Sequence, residues 1–405
     1  MCSINLESYK KVNEFYKDKL INDITKFWLN HALDGEYGGY FSYLNQDGSR
    51  YGNNKFMWPQ GRGAYQFAKL FNVLGKRQEW LDAAEIGIHF IDKYAFDAEG
   101  WAYYKVMRDG TPLFGKNDQP YTELFIALAY SEYAKASKKQ EYYDKALNIF
   151  KAQVKKIESG YFASSSNVRT VLYKEHAMPM IALNVAQEMR DVQSNSFLDE
   201  VIEKWVFEEM YLFANDEYRV LFERVGLDGE PYLDEPEGRT ITPGHAMESA
   251  WFCLREGMIK HNESLINRAS EVVDWTMEKG WDHEYGGLFN FLDVRGFPPG
   301  HHDEGWGEDQ DWDEKIFWVH AEALSAIAYA FYGTGDKKFL EHFNKLHSWT
   351  FNHFPDEKHG EWFGYLRRDG SLSQSLKGSV KGFFHIPRAF LQIVLLTERK
   401  LKGTL

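Results

Sequence analysis

The chain has little of what an extracellular or membrane protein needs. Its 405 residues include two cysteines, Cys2 and Cys253, too few for a disulfide framework. The N-terminus shows no apolar core of a signal peptide. The longest apolar runs, such as 323–331, are too short to cross a bilayer. These absences predict a cytoplasmic protein without a membrane partner.

Positive charge is also in short supply. Lysine and arginine total 47 against 60 aspartates and glutamates, which gives a formal net charge of −13. Nucleic acids and anionic membranes bind proteins through clustered Lys and Arg, so the composition argues against both as partners. A small neutral substrate fits better.

Aromatic residues, in contrast, are abundant. Trp, Tyr and Phe make up 17% of the chain, which is more than an ordinary core requires. Clefts that bind sugar rings are often lined by such side chains. The chain is also long enough to bury a large core, so its stability needs no structural metal.

A short segment in which glycine and aromatic residues alternate recurs six times. A period of two places the rings on one face, and an Asp-Gly pair favours a tight turn, so each copy predicts a strand-turn-strand flap. The copies begin at Gly35, Gly100, Gly160, Glu217, Glu284 and Glu361, and four of them run to an Asp-Gly pair, at 47–48, 109–110, 228–229 and 369–370.

Stretches with helical spacing of apolar residues lie between the flaps, roughly two per interval. They predict twelve helices at about 5–30, 59–75, 77–95, 119–137, 140–156, 175–191, 196–213, 243–259, 264–279, 315–333, 337–353 and 385–400. Long and divergent units of this kind favour a closed ring over an open solenoid. We therefore predict an all-α fold, a single (α/α)6 barrel domain over residues 1–405 with short β-hairpin flaps at its mouth.

In such a ring the second helix of each pair begins at the mouth, so polar residues at these starts should converge. The eighth helix opens Thr242-Pro243-Gly244-His245, with Thr242 as the N-cap and Pro243 at the first helical position. The helix dipole disfavours an imidazolium there, which leaves His245 a neutral base. Glu248 shares its face of the helix. A lone histidine at a helix start is more often a packing residue, so this assignment depends on the other helices.

Three other helix starts supply matching groups. The twelfth helix begins at His385, a position equivalent to that of the first histidine and facing it across the lumen. Trp318 and Glu322 lie four residues apart on the tenth helix, and Trp58 and Arg62 repeat that spacing on the second. A buried Arg and a buried Glu inside a ring indicate either an ion-pair network or a polar substrate site.

Metal and cofactor motifs are weak by comparison. The run His301-His302-Asp303-Glu304 contains metal-binding side chains, but adjacent loop residues rarely converge on one ion. The chain has no HExxH motif, phosphate-binding GxxxxGK[ST] loop or dinucleotide fingerprint. We expect no metal and no required cofactor.

The segments 242–252, 317–324 and 361–388 resemble the N-acylglucosamine 2-epimerase family, and the likeness runs from Trp58 through nearly the whole chain. The resemblance implies an (α/α)6 barrel, usually a homodimer, that interconverts N-acetylglucosamine and N-acetylmannosamine. It implies His245 and His385 as the acid/base pair. Members of this subgroup are often stimulated by ATP, which makes ATP an activator to test here. The resemblance also implies substrate and orienting roles for Arg62, Glu248 and Glu322.

The chemistry agrees with that implication. Inverting C2 of an aldose requires a base on each face of the carbon, and an unperturbed histidine pKa of about 6.5 suits both roles at neutral pH. Arg62 would stabilise negative charge on the carbonyl oxygen. Glu248 would orient His245. The aromatic side chains expected to stack on the sugar are Trp58, Trp318 and Tyr103.

Three alternatives stay open. Cellobiose 2-epimerases and the aldose-ketose isomerases of mannose or sulfoquinovose share the fold and carry a further histidine on helix six, where this chain has Pro179, with His176 three residues earlier. A glycoside hydrolase would need two catalytic carboxylates, for which Glu248 and Glu322 are available, but the histidines would then have no task. A non-catalytic binding ring would lose only affinity on replacement of the histidines.

Overall fold

The computed structural model describes residues 4–116, 120–159, 173–296, 312–377 and 381–404, and over these ranges the chain forms the twelve long helices that the periodicity predicts. Helix α1 covers 9–31, with a π-helical segment Lys19–Thr25 between Tyr9–Asp18 and Lys26–His31. Helix α7 likewise continues from Ser196–Glu208 into the π-helical Glu209–Phe213. The others are α2 Met57–Val73, α3 Gln78–Tyr94, α4 Tyr121–Ser137, α5 Gln140–Glu158, α6 Ala177–Val192, α8 Pro243–Ile259, α9 Glu263–Gly280, α10 Phe317–Thr334, α11 Lys337–His353 and α12 His385–Lys402.

Inner and outer helices alternate along the chain. The even-numbered helices are covered on all sides; in α4, for example, 14 of 17 residues are buried. The odd-numbered helices bury one apolar stripe, as in α3, where 7 of 17 residues are buried. A helix that is apolar all round must lie inside the fold, and an amphipathic one at its surface. The six even-numbered helices therefore form the inner wall of a ring.

The ring closes where the first helix packs against the last. Asn13 on α1 donates from Nδ2 to the carbonyl of Val394 at 3.0 Å and to Oγ1 of Thr397 at 2.9 Å, both on α12. The hydroxyl of Tyr332 on α10 donates to the carbonyl of Leu6 at 2.9 Å. These contacts join the two ends of the chain, so the closed barrel is confirmed over an open solenoid.

Short antiparallel strands connect the helices at one end. Strands β1 Lys55–Phe56, β2 Tyr103–Val106 and β3 Pro112–Lys116 form one sheet, and β10 Lys315–Ile316, β11 Tyr365–Leu366 and β12 Leu372–Gln374 form another. Three pairs join β4 Tyr173–Glu175 to β7 Arg224–Gly226, β5 Ala214–Asn215 to β6 Val220–Leu221, and β8 Thr240–Ile241 to β9 Leu292–Asp293. The β2–β3 and β11–β12 hairpins turn at Asp-Gly pairs, with Gly110 and Gly370 at φ of +92° and +83°.

A buried ion pair fastens each three-stranded sheet to the helix end beside it. Asp34, which follows α1, accepts hydrogen bonds from Nζ of Lys55 at 2.9 Å and from Nε and Nη2 of Arg108, each at 2.8 Å. Burial acts to raise the pKa of Asp34, but the hydrogen bonds from Arg108 and Lys55 hold that pKa well below its usual range. The arrangement recurs after α9 with Asp282, Lys315 and Arg368.

Asp34→Asn is expected to destabilise the fold by about 3–5 kcal/mol at pH 7, because it leaves the buried ammonium of Lys55 without its counter-charge. The folded-state pKa of Asp34 lies below the unfolded value of about 3.9, so its stabilising effect is fully present above that pH and decreases progressively as the pH falls from there toward the folded-state pKa. Urea unfolding followed by circular dichroism at pH 7 and pH 3 measures both effects.

The exposed Asp82→Asn is the matched control, with an expected change within about 0.5 kcal/mol. An Asp34→Asn protein as stable as this control at pH 7 would show that the ion pair contributes little to the fold.

Most helix boundaries agree with the prediction to within a few residues. The periodicity places the start of the tenth helix at 315, whereas α10 begins at Phe317, because Lys315–Ile316 pairs with Tyr365–Leu366 as a strand. The flap predicted at Gly160 and the run 301–304 lie outside the described residues. Among the helices that the structure describes, none is long and apolar enough to cross a membrane.

Candidate active site

The starts of α2 and α10 present the same kinds of side chain at the same spacing. A buried lysine in the preceding strand is followed by a tryptophan three residues later and by a charged lumen residue seven residues later. On α2 these residues are Lys55, Trp58 and Arg62, and on α10 they are Lys315, Trp318 and Glu322. Residues four apart on a helix share a face, so each tryptophan lies beside the charged group of its helix.

The residues between each tryptophan and charged group hold the flaps. Gln60 accepts a hydrogen bond at Oε1 from the amide of Tyr40 at 2.7 Å. His320 occupies the same position on α10 and accepts at Nε2 from the amide of Leu288 at 3.0 Å, while its Nδ1–H donates to the carbonyl of Ile316 at 2.8 Å. Burial lowers the pKa of His320 to about 3, so this ring is neutral. His320 is thus a structural histidine.

His385, the first residue of α12, is held as a neutral imidazole. Its Nε2 lies 3.3 Å from Nη1 of Arg62. A guanidinium only donates hydrogen bonds, so Nε2 must be the unprotonated nitrogen, and Nδ1–H donates to Oε1 of Glu322 at 2.8 Å. Burial, followed by the positive charge of Arg62, holds the pKa of His385 well below its usual range.

His245 has a carboxylate at the same ring nitrogen. Its Nδ1 lies 2.9 Å from Oε1 and 3.1 Å from Oε2 of Glu223, which stands in the loop between β6 and β7. An ionised carboxylate only accepts, so Nδ1 of His245 carries a proton. The prediction that Glu248 orients this ring is wrong, because the carboxylate of Glu248 lies on Arg388 instead.

Both imidazoles flank one indole. The ring centroid of Trp318 is 5.3 Å from that of His245 and 5.5 Å from that of His385, with interplanar angles of 42° and 40°. Both histidines are 7% exposed. The two rings therefore lie beside the same indole, and each directs Nδ1 at a carboxylate.

A buried arginine links the remaining carboxylates. Arg388 lies one turn along α12 from the catalytic candidate on that helix, and its Nη2 contacts Oε1 of both Glu248 and Glu322. Its Nη1 donates to Oδ1 of Asn184 on α6 at 3.2 Å. Trp251 donates from Nε1 to Oε2 of Glu322 at 2.9 Å. Every one of these groups is nine-tenths or more buried, so their charges are paired inside the lumen.

Arg62 is enclosed by aromatic rings. Its guanidinium carbon lies 4.1 Å from the ring centroid of Phe125, 4.5 Å from that of Phe384 and 4.6 Å from that of Trp58. Burial lowers the pKa of Arg62 to about 9, which leaves the group charged at neutral pH. Among the described residues its Nε has no hydrogen-bond partner. The guanidinium is therefore a caged cation beside His385.

Ion pairs fill the lumen deeper along the inner helices. Nζ of Lys69 lies 2.8 Å from Oε2 of Glu188 and 3.2 Å from Oε2 of Glu132, and Nη1 of Arg255 lies 2.6 Å from Oε1 of Glu188. These side chains are at most 6% exposed. Because these charges satisfy one another, the groups left to meet a ligand are those at the helix starts.

The structure thus brings together seven of the eight site residues that the sequence predicts. The eighth, Tyr103, lies half-buried on β2, where its amide donates to the carbonyl of Ala95 at 2.8 Å. Its side chain packs against the hydrophobic core. Its role in stacking on the sugar stays a prediction.

A family model described as N-acylglucosamine 2-epimerase matches residues 39–389. The chain belongs to this family. The N-acylglucosamine 2-epimerase of Mus musculus is 30% identical over 393 residues, covering 95% of this chain and 90% of the mouse protein. The cellobiose 2-epimerase of Dictyoglomus turgidum is 27% identical over 372 residues, covering 86% of this chain and 89% of its own. As a member of this epimerase family, the chain is an isomerase.

A solved structure has the same fold as this chain. The cellobiose 2-epimerase of Spirochaeta thermophila superposes with a TM-score of 0.80, covering 98% of both chains at 19% identity. At that identity the likeness establishes the fold alone, and the (α/α)6 barrel is confirmed.

Two clusters at the site of this epimerase-family chain have donor atoms close enough for a metal. The ligand atoms of each set lie within 4.8 Å of one another; the sets are His176, Glu223 and His245, and Glu248, Glu322 and His385. In the first set, Glu223 binds both histidines, and His176 also binds Glu209. In the second set, His385 binds Glu322, and Glu248 binds Arg388. These contacts account for both clusters without an ion.

Two functional residues escape the sequence analysis. Arg388 follows Lys381 by seven residues, as Arg62 and Glu322 follow their lysines, so a comparison of the helix starts would have found it. Glu223 lies in the segment from Glu217 to the Asp-Gly pair at 228–229, which predicts only a strand-turn-strand flap. Nothing in the local sequence pattern indicates that Glu223 is a site residue. Its position is defined by two histidines that are distant in sequence.

Trp318→Ala is expected to raise KM for an N-acyl sugar about tenfold, which corresponds to ~1.4 kcal/mol of lost binding. The indole contacts both imidazoles and offers the face on which a sugar stacks. Trp318→Phe, which keeps an aromatic face, should give a smaller rise. Steady-state kinetics measures both, and an unchanged KM in the alanine variant would remove the indole from the binding surface.

Proposed function

We propose that this chain is an N-acyl-D-glucosamine 2-epimerase that interconverts N-acetylglucosamine and N-acetylmannosamine, with His245 and His385 as the acid/base pair. The observation that carries the proposal is the placement of both imidazoles beside one indole, each with a carboxylate at Nδ1, which makes Nε2 the nitrogen that exchanges protons. The similarity to curated N-acylglucosamine 2-epimerases over 95% of the chain supports the N-acyl substrate.

The proposed reaction needs only a proton and an electron pair to move. In the open-chain sugar, one imidazole takes the C2 proton, and the electron pair of the C–H bond forms a C1–C2 double bond while the carbonyl oxygen becomes negative. Arg62 stabilises that oxygen. The other ring enters the step with a proton on Nε2 and delivers it to the opposite face of C2 as the carbonyl re-forms, so one turnover exchanges the protonation states of the two rings.

The carboxylates at Nδ1 make this exchange possible. Glu223 and Glu322 fix the tautomer of each ring, so each Nε2 is the nitrogen that accepts and delivers protons. When an imidazole takes the C2 proton, the carboxylate beside it balances the new charge.

The second candidate is the same chemistry on another sugar, by a cellobiose 2-epimerase or an aldose-ketose isomerase that returns the proton to C1. Those enzymes are expected to carry a further histidine where this chain has Pro179, and this difference favours the N-acyl substrate. A glycoside hydrolase is disfavoured, because Glu248 and Glu322 both contact Nη2 of Arg388 and neither is free to act as an acid.

Incubation with N-acetylmannosamine in heavy water, followed by proton NMR, tests the function. The proposal requires N-acetylglucosamine that carries deuterium at C2. Unlabelled sugar would refute epimerisation through C2, and a ketose product would assign the chain to the isomerases. Cellobiose and mannose, offered under the same conditions, distinguish the second candidate.

The partners follow from the same proposal. We expect a cytoplasmic homodimer of single-domain subunits, which sedimentation at micromolar concentration tests. We expect no cofactor requirement, so treatment with EDTA should leave the activity unchanged. ATP is proposed only as an activator; its effect is read from kcat and from the melting temperature with and without the nucleotide.

A further inference from the structure

A chain of buried hydrogen bonds runs from the outer wall of the barrel to His245. Glu209, in the π-helical end of α7, lies with Oε2 3.2 Å from Nδ1 of His176. Nε2 of His176 lies 3.1 Å from Oε2 of Glu223, whose carboxylate also meets Nδ1 of His245. Exposure along this chain is 0% for Glu209, 1% for His176 and 4% for Glu223. The mechanism proposed above uses only the last two members, Glu223 and His245.

The geometry makes His176 a cation. Both of its ring nitrogens face carboxylate oxygens, which only accept, so both nitrogens must carry protons. Burial opposes this charge, but the carboxylates of Glu223 and Glu209 outweigh burial and raise the pKa of His176 to about 10. Ser249 donates from Oγ to Oε2 of Glu209 at 2.8 Å and fixes the outer end of the chain.

We propose that His176 is a positioning residue for the epimerisation, an imidazolium clamped between Glu209 and Glu223 that sets both the orientation of Glu223 and the charge felt by His245. This inference rests on the proposed two-histidine function. His176 is 1% exposed, so it does not itself meet the sugar. Each oxygen of Glu223 has a defined partner, so the carboxylate cannot turn away from Nδ1 of His245.

The charge on His176 has a consequence for proton transfer. Glu223 alone would hold a proton on His245 strongly. With a second imidazolium on the same carboxylate, that attraction is shared, so His245 can release the proton it has taken. The ionisable groups that face His176 are Glu209 from α7, Glu223 from the β6–β7 loop and His245 from α8, and burial and Glu209 raise the pKa of the nearby Cys253 thiol, which stays neutral.

Two variants test the proposal in opposite directions. His176→Gln removes a positive charge, so the limb of the pH profile due to His245 should move up by about one pH unit. The same variant should lower kcat about 10- to 100-fold with KM within about twofold, because the sugar site itself is intact. Glu209→Gln keeps the imidazolium of His176 and removes a negative charge. The same limb of the pH profile should therefore move to lower pH, by less than the shift in His176→Gln.

Deuterium washout from C2 distinguishes proton transfer at the two faces of that carbon. Each histidine can wash deuterium out of C2 of one epimer by taking and returning a proton on its own side. His176→Gln should slow washout from the epimer served by His245 about 10- to 100-fold and leave washout from the other epimer within about twofold. A purely structural role for His176 would slow both equally.

The matched control is His347→Gln, which replaces a buried neutral histidine packed among Phe15, Phe343 and Phe351. It should change the melting temperature but not kcat or the pH profile. A folded His176→Gln protein with wild-type kcat and pH profile overturns the proposal. If that variant does not fold, Glu209→Gln decides, and an unmoved limb overturns the proposal. Failure of the wild-type protein to label C2 would instead refute the proposed function.

Discussion

His385→Asn is expected to lower kcat for epimerisation about 100- to 10,000-fold, the range that one general acid or base contributes. Asparagine keeps a polar side chain of similar reach but cannot take a proton from carbon. The neighbouring ion pair of Glu322 with Arg388 should keep its geometry, so KM should change little. Steady-state kinetics in both directions of the reaction measures this loss.

The loss must be selective if two bases serve two faces. His385→Asn should abolish C2 deuterium washout from one epimer and retain it for the other, and His245→Asn should show the reverse pattern. Both variants should unfold near the wild-type temperature, since asparagine is a polar side chain of similar reach to histidine. Exchange of both epimers at wild-type rates in either variant would contradict the two-histidine mechanism.

Most of the fold can be predicted from the repeated glycine-aromatic segments. Each glycine-aromatic segment marks the boundary between an outer and an inner helix, and the physical reason is now visible at Asp34 and Asp282. Each aspartate follows an outer helix and binds the lysine of the strand that leads into the next inner helix. A local signal in the sequence therefore reports a tertiary contact, which explains why twelve helices and their order can be predicted.

The site is predictable only where its residues lie at helix starts. His245, His385, Arg62 and Glu322 satisfy that condition, because alternation of inner and outer helices brings those starts to one mouth. Orientation of the histidines does not follow from this rule. Spacing along α8 suggests Glu248 as the partner of His245, but the strong attraction of Arg388 draws that carboxylate away.

Glu223 shows why the partner of His245 cannot be predicted locally. It stands 22 residues before His245 and 47 after His176, and only the closed ring brings the three together. Hydrogen bonds between residues so distant depend on how α6, α7 and α8 pack, which no periodicity records.

Arg62→Gln is expected to lower kcat about 100- to 1,000-fold, the cost of removing one donor from a developing oxyanion. The guanidinium lies in an aromatic cage with Nε unpartnered among the described residues, and it stands beside the ring nitrogen that would take the C2 proton. Arg62→Lys keeps the charge but not the planar donor pair, so it should recover only part of the rate. The exposed Arg77→Gln is the surface control and should be indistinguishable from wild type.

The pH profile separates this role from simple substrate binding. In the wild type, burial and then Arg62 hold the pKa of His385 well below 6.5, so the ring is a free base throughout the neutral range. Without the positive charge of Arg62 that pKa must rise, and the protonated, inactive form persists to higher pH. The acid limb of kcat/KM should therefore move upward in Arg62→Gln and stay near its wild-type position in Arg62→Lys. A reduced kcat with an unmoved acid limb would mean that Arg62 acts on the sugar alone, because both its charge and its hydrogen bond to Nε2 disfavour protonation of His385.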